Sequence, residues 1–520
     1  MRVRALLAAG TAVYVAIGSA STAIAEPASK ASSQSETASA QAKSIEAMQA
    51  QIRSMEAQVA FMKRQIELMQ QQVPPKPDPN GAKVTLTNGR PQLASNDGNF
   101  KFNIQARSQT DYANYFGLPH GLQLNNGVNE RRAYIGLDAI FYQDWEGFLE
   151  ADFGSSSGNE NKTTGYLRTA RLTYSAKNAG LGNLAFDVGY MEVNSDFERA
   201  MGSTNTFLME RSSPEQISAN VAAADRRAAA GLRDYGDKWF ADLYYTGART
   251  AQGNTDGVTT ANIKNEQSAI TGRVTYLPWI DDTSLIHVGI NGQYVLSPNE
   301  SAPSLAPPRR TIALSFQPGL NVDPTAFINT TGNNVAGGVL PVNSGAIIGG
   351  ELAGEWNNIA VFGQWYHYLL DVGPLPANFG GNPTAAFDGF DVNVSYILTG
   401  ESRGYDKSVA SFGSVRPAHP FNPSTGDWGA WELVARFEQT NLNDREGSLL
   451  VEGGRQTLYE LGVSWYPNAN LRFILEYLYA DIRRAAIVGS GPAARLAPPA
   501  PGSNLQPNIN AVGFRTQFVF

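Results

Sequence analysis

The residue types that carry covalent or metal chemistry are few in this sequence and poorly spaced for it. No cysteine occurs among the 520 residues, so disulfides and thiol chemistry are excluded. None of the histidines stands at a metal-ligating spacing; they are His120, His287, His367 and His419. The run GSSSG at 154–158 has the form of a hydrolase nucleophile elbow, but it lies between two predicted strands rather than between a strand and a helix. We therefore predict no catalytic residue, no metal site and no cofactor.

The charged side chains are the other candidates for chemistry, and many of them recur at alternate positions within short segments. The basic members of this pattern are Lys101, Arg107, Arg132, Arg171, Arg227, Arg233, Arg273, Arg436, Arg472 and Arg515. The acidic members are Asp111, Asp138, Glu146, Glu150, Asp152, Asp187, Asp242, Glu432, Glu438, Glu460 and Glu476. The two signs nearly balance, and the formal net charge of −7 argues against a nucleic-acid partner.

The elements that position these charges are predicted to be strands of an all-β protein. In "FKFNIQARSQTDY", "WELVARFEQ" and "LRFILEYLYAD" apolar and polar residues alternate, which gives each strand one apolar face. The polar faces carry charges of both signs, and the apolar faces begin and end in aromatic residues. Both features favour a transmembrane antiparallel β-barrel over a soluble sandwich. About 16 strands fit the chain, with 18 possible, and barrels of that size leave an aqueous channel.

Two long connections and the last strand support the barrel prediction. Residues 194–226 and 297–346 separate strand segments, and loops of this length are often functional; in a channel they would fold inward and narrow the lumen. The final run "NAVGFRTQFVF" alternates and ends on Phe520. A terminal strand of this kind is the segment by which barrel assembly machinery recognises outer-membrane proteins, so that machinery is a predicted partner.

The N-terminal part predicts export followed by a coiled coil. Residues 1–25 have the charged start, apolar run and A-x-A site of a signal peptide. Residues 26–43 are rich in Ser, Ala and Gln and are predicted to be disordered. A coiled coil is predicted over 44–73, a Pro-rich linker and pre-barrel segment over 74–97, and the barrel over 98–520.

The coiled-coil prediction depends on apolar steps of three and four residues over about four heptads. The seam consists of Ile45, Met48, Ile52, Met55, Val59, Met62, Ile66, Met69 and Val73. Flanking glutamines impose little repulsion on a third strand, so we expect a parallel trimeric stalk in the periplasm. A single amphipathic helix lying against the cell wall or lipid is the alternative.

Five motifs in order give the chain a family resemblance. They are "NERRAYIGLDAIFYQDWEGFLEADF", "FLMERSSPEQI", "YILTGESRGYD", "GAWELVARFEQTNLND" and "LGVSWYPNANLRFILEY". From about residue 98 onward the sequence resembles the phosphate-selective porin O/P family. The resemblance implies a homotrimer of 16-stranded outer-membrane barrels, in contact with lipid, with an inward third loop that contains "DFERAMGSTNTFLMERSSP".

The resemblance also implies an anion pathway. Selective members line the pore with arginines, whose planar guanidinium groups pair with phosphate oxygens. Arg107, Arg132 and Tyr134 match that pattern in lumen phase, whereas Arg131 is out of phase. The inward loop would bring Arg211 near the constriction. The remaining arginines that match the family are Arg309 and Arg310, in the second long loop.

The lysines that such members carry at the periplasmic mouth are replaced here. Glu146, Ala185 and Asp406 stand in their places. We therefore expect a porin for small solutes with a weak preference for anions such as phosphate or polyphosphate. A general non-selective porin, an envelope tether that binds a periplasmic partner, and an outer-membrane hydrolase are the alternatives.

Overall fold

The computed structural model describes residues 33–72, 78, 81–87, 90–154, 165–223, 226–249, 266–302, 309–500, 503 and 505–520. The predicted signal peptide and the GSSSG run beyond Gly154 lie outside these residues. The structure forms two compact units, Met1–Pro77 and Asp78–Phe520.

The second unit is a closed antiparallel barrel of 16 strands, as the sequence predicts. In chain order, β1 to β16 are Phe100–Phe116, Gly127–Phe141, Trp145–Asp152, Tyr166–Ala179, Gly182–Met191, Arg227–Tyr235, Trp239–Arg249, Ser268–Ile280, Ser284–Ser297, Val342–Trp356, Ile359–Val372, Thr384–Ile397, Ala430–Asp444, Val451–Asn468, Leu471–Arg483 and Asn508–Val519.

Strand alternation sets which side chains face outward. On β15, Leu475 and Tyr477 are exposed on the outer wall, whereas Ile474, Glu476 and Leu478 are buried inside. An apolar outer face suits hydrocarbon, and ring closure leaves no sheet edge for lipid to meet. None of the described helices has the length and apolar composition needed to cross a membrane as a helix.

The last strand closes the ring by pairing with the first. Arg515 lies opposite Asp111, and Phe520 exchanges two backbone hydrogen bonds of 3.1 Å with Ala106. The chain terminus is therefore part of the closure, in agreement with the alternating "NAVGFRTQFVF" pattern.

The two ends of the barrel differ in their connections. At one end, which we call the short-turn end, most neighbouring strands are joined by two or three residues. Tyr142, Gln143 and Asn357 adopt positive φ in these turns. At the other, the long-loop end, connections include 192–226 and 298–341. One exception is the connection 398–429, which is long although it lies at the short-turn end.

A hairpin precedes the barrel within the predicted linker. Strands Ala82–Thr87 and Arg90–Ser95 pair with each other, and Gln92–Ala94 pair with β1 at Lys101–Asn103. The hairpin makes one sheet of 18 strands, but it lies outside the closed ring. The alternating "AKVTLT" explains why this segment is a strand rather than only a linker.

The first unit contains one long helix, α1 (Ser33–Gln72). It starts within the segment predicted to be disordered, because the Ala and Gln residues there have good helix propensity. Its described seam residues from Ile45 to Ile66 are about half exposed, between 47% and 56%. Val73 lies outside the described residues.

The remaining elements belong to the loops. Within 192–226, α2 (Phe197–Ala200) and α3 (Ser213–Ala222) are short helices capped by Asp196 and Ser212. Short two-stranded pairs join Glu300–Ala302 with Arg309–Arg310, Ser315–Phe316 with Ile328–Asn329, Tyr405–Asp406 with Ser411–Phe412, and Ala486–Val488 with Arg495–Ala497. Two 3-10 turns occupy Ala377–Phe379 and Gly491–Ala493.

Candidate functional site: an arginine-lined constriction in the lumen

The connection 192–226 folds into the lumen and is held to the far wall by carboxylates. Glu438 on β13 accepts from the backbone N of Ser213 at 3.1 Å and from its hydroxyl. Glu476 on β15 accepts from the N of Met209 at 2.8 Å. Asp391 on β12 accepts from the hydroxyl of Ser212 at 2.9 Å. These wall carboxylates therefore anchor the inward loop.

Wall arginines hold the carbonyl groups of the same loop. Arg472 donates to the carbonyl oxygens of Thr206 at 2.6 Å and Phe207 at 2.7 Å. Arg436 donates to the Glu210 carbonyl at 2.9 Å and to the Glu198 carboxylate at 2.6 Å. Buried ionic hydrogen bonds of this kind are strong, so the loop is a fixed part of the lumen.

Glu210, at the turn before α3, collects three arginines. Arg131 pairs with it in bidentate fashion at 2.7 and 2.9 Å, Arg515 at 2.7 Å and Arg132 at 3.5 Å. Burial by itself would raise the pKa of the Glu210 carboxyl. The three guanidinium groups outweigh that effect and hold its pKa well below the ordinary value. Arg131 and Arg132 are thus committed to the loop anchor.

The prediction that Arg131 faces away from the lumen is wrong. The register of β1 and β2 shifts between Gln109, opposite Arg132, and Thr110, opposite Glu130. Arg131 is the extra residue of this bulge, and both arginines are buried inside. A β-bulge interrupts the period of two and allows consecutive side chains to point the same way.

A second bulge turns inward an arginine that sequence reasoning missed. Glu150 lies opposite Thr169 and Ala151 opposite Leu167, so Arg168 is the extra residue. Its guanidinium carbon stands 3.9 Å from the ring centroid of Tyr134. The sequence did contain a signal for this bulge. In "LRTARLTY" two polar residues separate the outward Leu167 from Ala170, whereas strict alternation would place one residue between outward positions.

Arg107 is placed as predicted, on the lumen wall beside Tyr134. Its guanidinium carbon is 5.3 Å from the Tyr134 ring centroid, and Nη1 donates to the Ser203 hydroxyl at 2.8 Å. No carboxylate among the described residues lies within ion-pair distance of it. Arg107 is therefore the wall arginine at this position whose charge is not matched by a direct acidic partner.

Further arginines from the loop surround the same place and complete what we call the arginine cluster. Its members are Arg107, Arg168, Arg199, Arg211 and Arg226. Glu192 is the carboxylate at its centre, with Arg199 at 2.8 Å, Arg211 at 3.8 Å and Arg168 at 3.9 Å, and with Arg226 in close contact. Glu150 pairs with Arg168 and lies 4.0 Å from Arg226.

The electrostatics of the loop members reflect this crowding. Burial, followed by repulsion from Arg168, lowers the pKa of Arg226 to about 9. Burial and the neighbouring Arg199 lower the pKa of Arg211 to about 10. Glu215 lies 2.7 Å from Arg199, yet burial raises the pKa of its carboxyl well above the ordinary value. The arginine cluster therefore carries an excess of positive charge.

Other predicted site residues lie apart from the cluster. Arg309 and Arg310 form a short strand in the connection 298–341, and Arg310 contacts Ser297. Glu146, Ala185 and Asp406 lie at the short-turn end. Of these, Glu146 pairs with Arg171, and the Asp406 carboxylate caps the turn at the N of Ser408, 2.9 Å away.

The connection 398–429 enters the lumen from the short-turn end, which the sequence did not predict. Arg273 on β8 donates to the carbonyl oxygens of Val409 and Ala410, both at 2.7 Å. Phe412 packs on Phe197 with ring centroids 5.0 Å apart. The two inward connections thus meet inside the barrel and narrow its lumen.

A polar cavity of about 640 Å³, which we call the mouth cavity, lies at this end. Three arginines line it: Arg90 from the pre-barrel hairpin, Arg416 from the connection 398–429, and Arg472 from β15. Thr204 also lines it and directly follows Ser203, the partner of Arg107. The arginine cluster and this mouth cavity therefore meet at one loop segment.

Among the described residues, no three His, Cys, Asp or Glu side chains gather into a group that could hold a metal ion. The chemistry that the arrangement offers is electrostatic, because it places planar cationic donors inside the lumen.

Residues 102–492 match the family described as phosphate-selective porin O and P. Porin O of Pseudomonas aeruginosa is 25% identical over 419 residues, which cover 77% of this chain and 88% of that protein. Among solved structures, outer-membrane-expressed OmpT of Vibrio cholerae has a TM-score of 0.45 at 13% identity, covering 81% of this chain and 98% of that one. An anion-selective porin from Comamonas acidovorans has a TM-score of 0.42 at 10% identity, covering 81% and 100%.

Proposed function

This chain belongs to the family of phosphate-selective porins O and P, and from that premise we propose that it forms a water-filled channel for small solutes with a weak preference for anions. Inorganic phosphate and polyphosphate are the anions that its guanidinium groups suit. The proposed role is passive conduction through the outer membrane and includes no catalysis.

The observation that carries this proposal is the arginine cluster around Tyr134. No carboxylate of the described residues pairs with Arg107, and Glu192 is shared among several arginines. A passing oxyanion would meet donors that are already desolvated and held in place, so it would exchange water for guanidinium contacts in stages.

A route toward the periplasm follows from the contacts of the inward loop. An anion that leaves Arg107 would pass Ser203 and Thr204 and enter the mouth cavity with Arg90 and Arg416. Because short turns face the periplasm in barrels of this type, that cavity would open on the periplasmic side. Several moderate sites in series allow an anion both to enter and to leave.

The preference is proposed to be weak because acidic residues share the same passage. Glu150 and Glu192 offset part of the positive charge of the arginine cluster. Glu146 and Asp406 add negative charge at the short-turn end, where the family resemblance implies lysines. Phosphate would therefore block current only at high concentration.

Reversal potential in a planar bilayer tests this function. Under a salt gradient, Arg107→Gln should shift the reversal potential of the purified channel toward cations and abolish block by added phosphate. Arg107→Lys is the matched control, because it keeps the charge and loses the planar fork. We expect this variant to keep its reversal potential and to lose most of the phosphate block.

A channel that prefers cations strongly and does not respond to Arg107→Gln would contradict anion conduction and leave a general porin. A folded protein that conducts no current at all would instead favour a tether.

We also propose that three copies assemble, with the α1 seams joined in a periplasmic stalk. The support is the exposure of the seam, since Ile52 and Val59 are 51% and 47% exposed in the single chain. Burial against identical helices would remove that apolar surface from water. The terminal strand ending at Phe520 is the proposed contact for barrel assembly machinery.

A further inference from the structure

The outer wall carries a basic patch at the long-loop end that the proposed conduction does not use. On β13, β14 and β15, the residues directly opposite one another are Asn441, Arg455 and Arg483. They share the outward phase with Tyr459 and Tyr479, which lie on the exposed face of the barrel. These arginines therefore point away from the lumen.

Arg455 and Arg483 form an unusual cross-strand pair. Like charges directly opposite each other destabilise a sheet. Arg483 has an acidic partner, Asp481, at 2.7 Å and is 39% exposed. Arg455 is exposed and has no ion-pair partner among the described residues. An anion bound between the two guanidinium groups would convert this repulsion into two favourable contacts.

The patch surrounds a cavity of about 440 Å³. Its lining consists of Asn441, Asn443, Asp444, Arg445, Arg455 and Arg483. The Asp444 carboxylate accepts hydrogen bonds from the backbone N of Ala386 at 2.7 Å and from that of Arg445 at 2.6 Å. Arg445 pairs with Glu452 at 2.7 Å but stays 55% exposed, so its remaining donors reach the cavity.

The level of the patch on the wall indicates what covers it. The rings of Phe437, Tyr459 and Tyr479 form a row across three strands, with centroids 5.1 and 6.2 Å apart. Aromatic rows of this kind lie where hydrocarbon meets headgroups. Arg455 is four residues beyond Tyr459 on the same strand, which is about 13 Å along it toward the long loops. That is the level of lipid headgroups on the outer side of the membrane.

We infer that Arg445, Arg455 and Arg483 form a binding site for the phosphate groups of an outer-leaflet lipid headgroup. Guanidinium forks suit phosphate oxygens, and basic pockets on membrane proteins recognise phosphorylated headgroups in this way. The cavity has the size range of sites for small organic ligands, so it can hold a phosphorylated sugar.

Native mass spectrometry of the purified full chain in detergent tests the site. The probe is a diphosphorylated disaccharide glycolipid, compared with its dephosphorylated form and with inorganic phosphate. The double variant Arg455→Gln with Arg483→Gln should bind the phosphorylated lipid at least about tenfold more weakly, because each substitution removes a charge-assisted contact with phosphate. Binding of the dephosphorylated lipid should stay the same.

The matched control is Lys177→Gln with Lys238→Gln, which removes the same charge at the short-turn end. It should bind the phosphorylated lipid as the unchanged chain does. In lipid-free detergent, Arg455→Gln alone should fold to the same heat-modifiable form with equal or higher stability, because it removes a like-charge pair.

Three results would overturn the inference. Equal lipid binding by the chain with and without both arginines would remove the site. Inorganic phosphate that binds the patch as tightly as the glycolipid would assign it to free anions. Dissociation of the oligomer by the double variant would show that the patch contacts another copy of the chain.

Discussion

At the scale of single residues, the same residue type performs two tasks in this lumen. Arg436 and Arg472 are committed to carbonyl and carboxylate groups of the inward loop. Among the residues that the structure describes, Arg107 donates only to a neutral hydroxyl, and it stands over a tyrosine ring. The first group holds the constriction in place, and only the second kind offers an unmatched charge to a passing ion.

Glu192 is expected to set how much of that charge is available. Replacing Glu192 with Gln removes the negative charge shared by the arginine cluster. The change is worth on the order of 1 kcal/mol for an anion in contact with it, or about fivefold in local concentration. Reversal potential measured under a salt gradient should move toward anions, most clearly at low ionic strength, where screening is least.

Glu215→Gln is the control for this prediction. Glu215 pairs with Arg199, whereas Glu192 contacts four arginines of the cluster, and burial raises the pKa of the Glu215 carboxyl well above its ordinary value. The amide at position 215 should therefore shift the reversal potential less than the amide at position 192. Equal shifts from the two variants would mean that the charge at Glu192 does not control the passage.

At the scale of elements, alternation predicted the strands and their lumen faces but not the bulges. The 16 strands and the inward loop follow from period-two patterns, long connections and the family resemblance. The inward orientation of Arg131 and Arg168 was not predicted, because each is the extra residue in a bulge, where strict alternation places it on the wrong face. Bulges depend on the register of two strands, which one strand's sequence does not contain.

The inward course of the connection 398–429 was not predicted for a related reason. Its Gly- and Pro-rich sequence marks a loop, but the contacts that draw it inward come from distant strands. Arg273 holds its backbone, and Arg403 pairs with the buried Glu432. Such partners become visible only when the ring is closed.

Shortening this connection should widen the passage. The N of Gly413 donates to the carbonyl of Gly404 at 3.0 Å, so two glycines can replace residues 405–412 without moving the wall. Loss of the Phe412 side chain from the lumen should raise single-channel conductance, and heat modifiability would check folding. Unchanged conductance in a folded variant would mean that the narrowest point lies elsewhere, within 192–226.

At the scale of the whole molecule, the α1 seam predicts assembly. Ile52→Asp with Val59→Asp places charges on the seam and should abolish association of the isolated helix. A peptide of residues 40–75 should sediment as a trimer, and the double variant as a monomer. A stable dimer, or a monomer at high concentration, would contradict the stalk, although the barrel walls could still associate.

The final prediction separates the helix, the pre-barrel hairpin and the barrel. A chain that starts at Asp78 lacks α1 but keeps the hairpin, whereas one that starts at Asn96 also lacks Arg90 and Gln92, which line the mouth cavity. Both should give β-sheet circular dichroism and heat-modifiable barrels in detergent, because the ring closes through β1 and β16 without the hairpin. Only the chain that starts at Asn96 should lose anion preference at low salt, because it lacks the Arg90 cation of the mouth cavity.

The chain that starts at Asp78 and carries Arg90→Gln should reproduce that loss of anion preference. If the shorter chain does not fold, the hairpin is part of the barrel domain; if it folds with unchanged selectivity, Arg90 plays no part in the anion route.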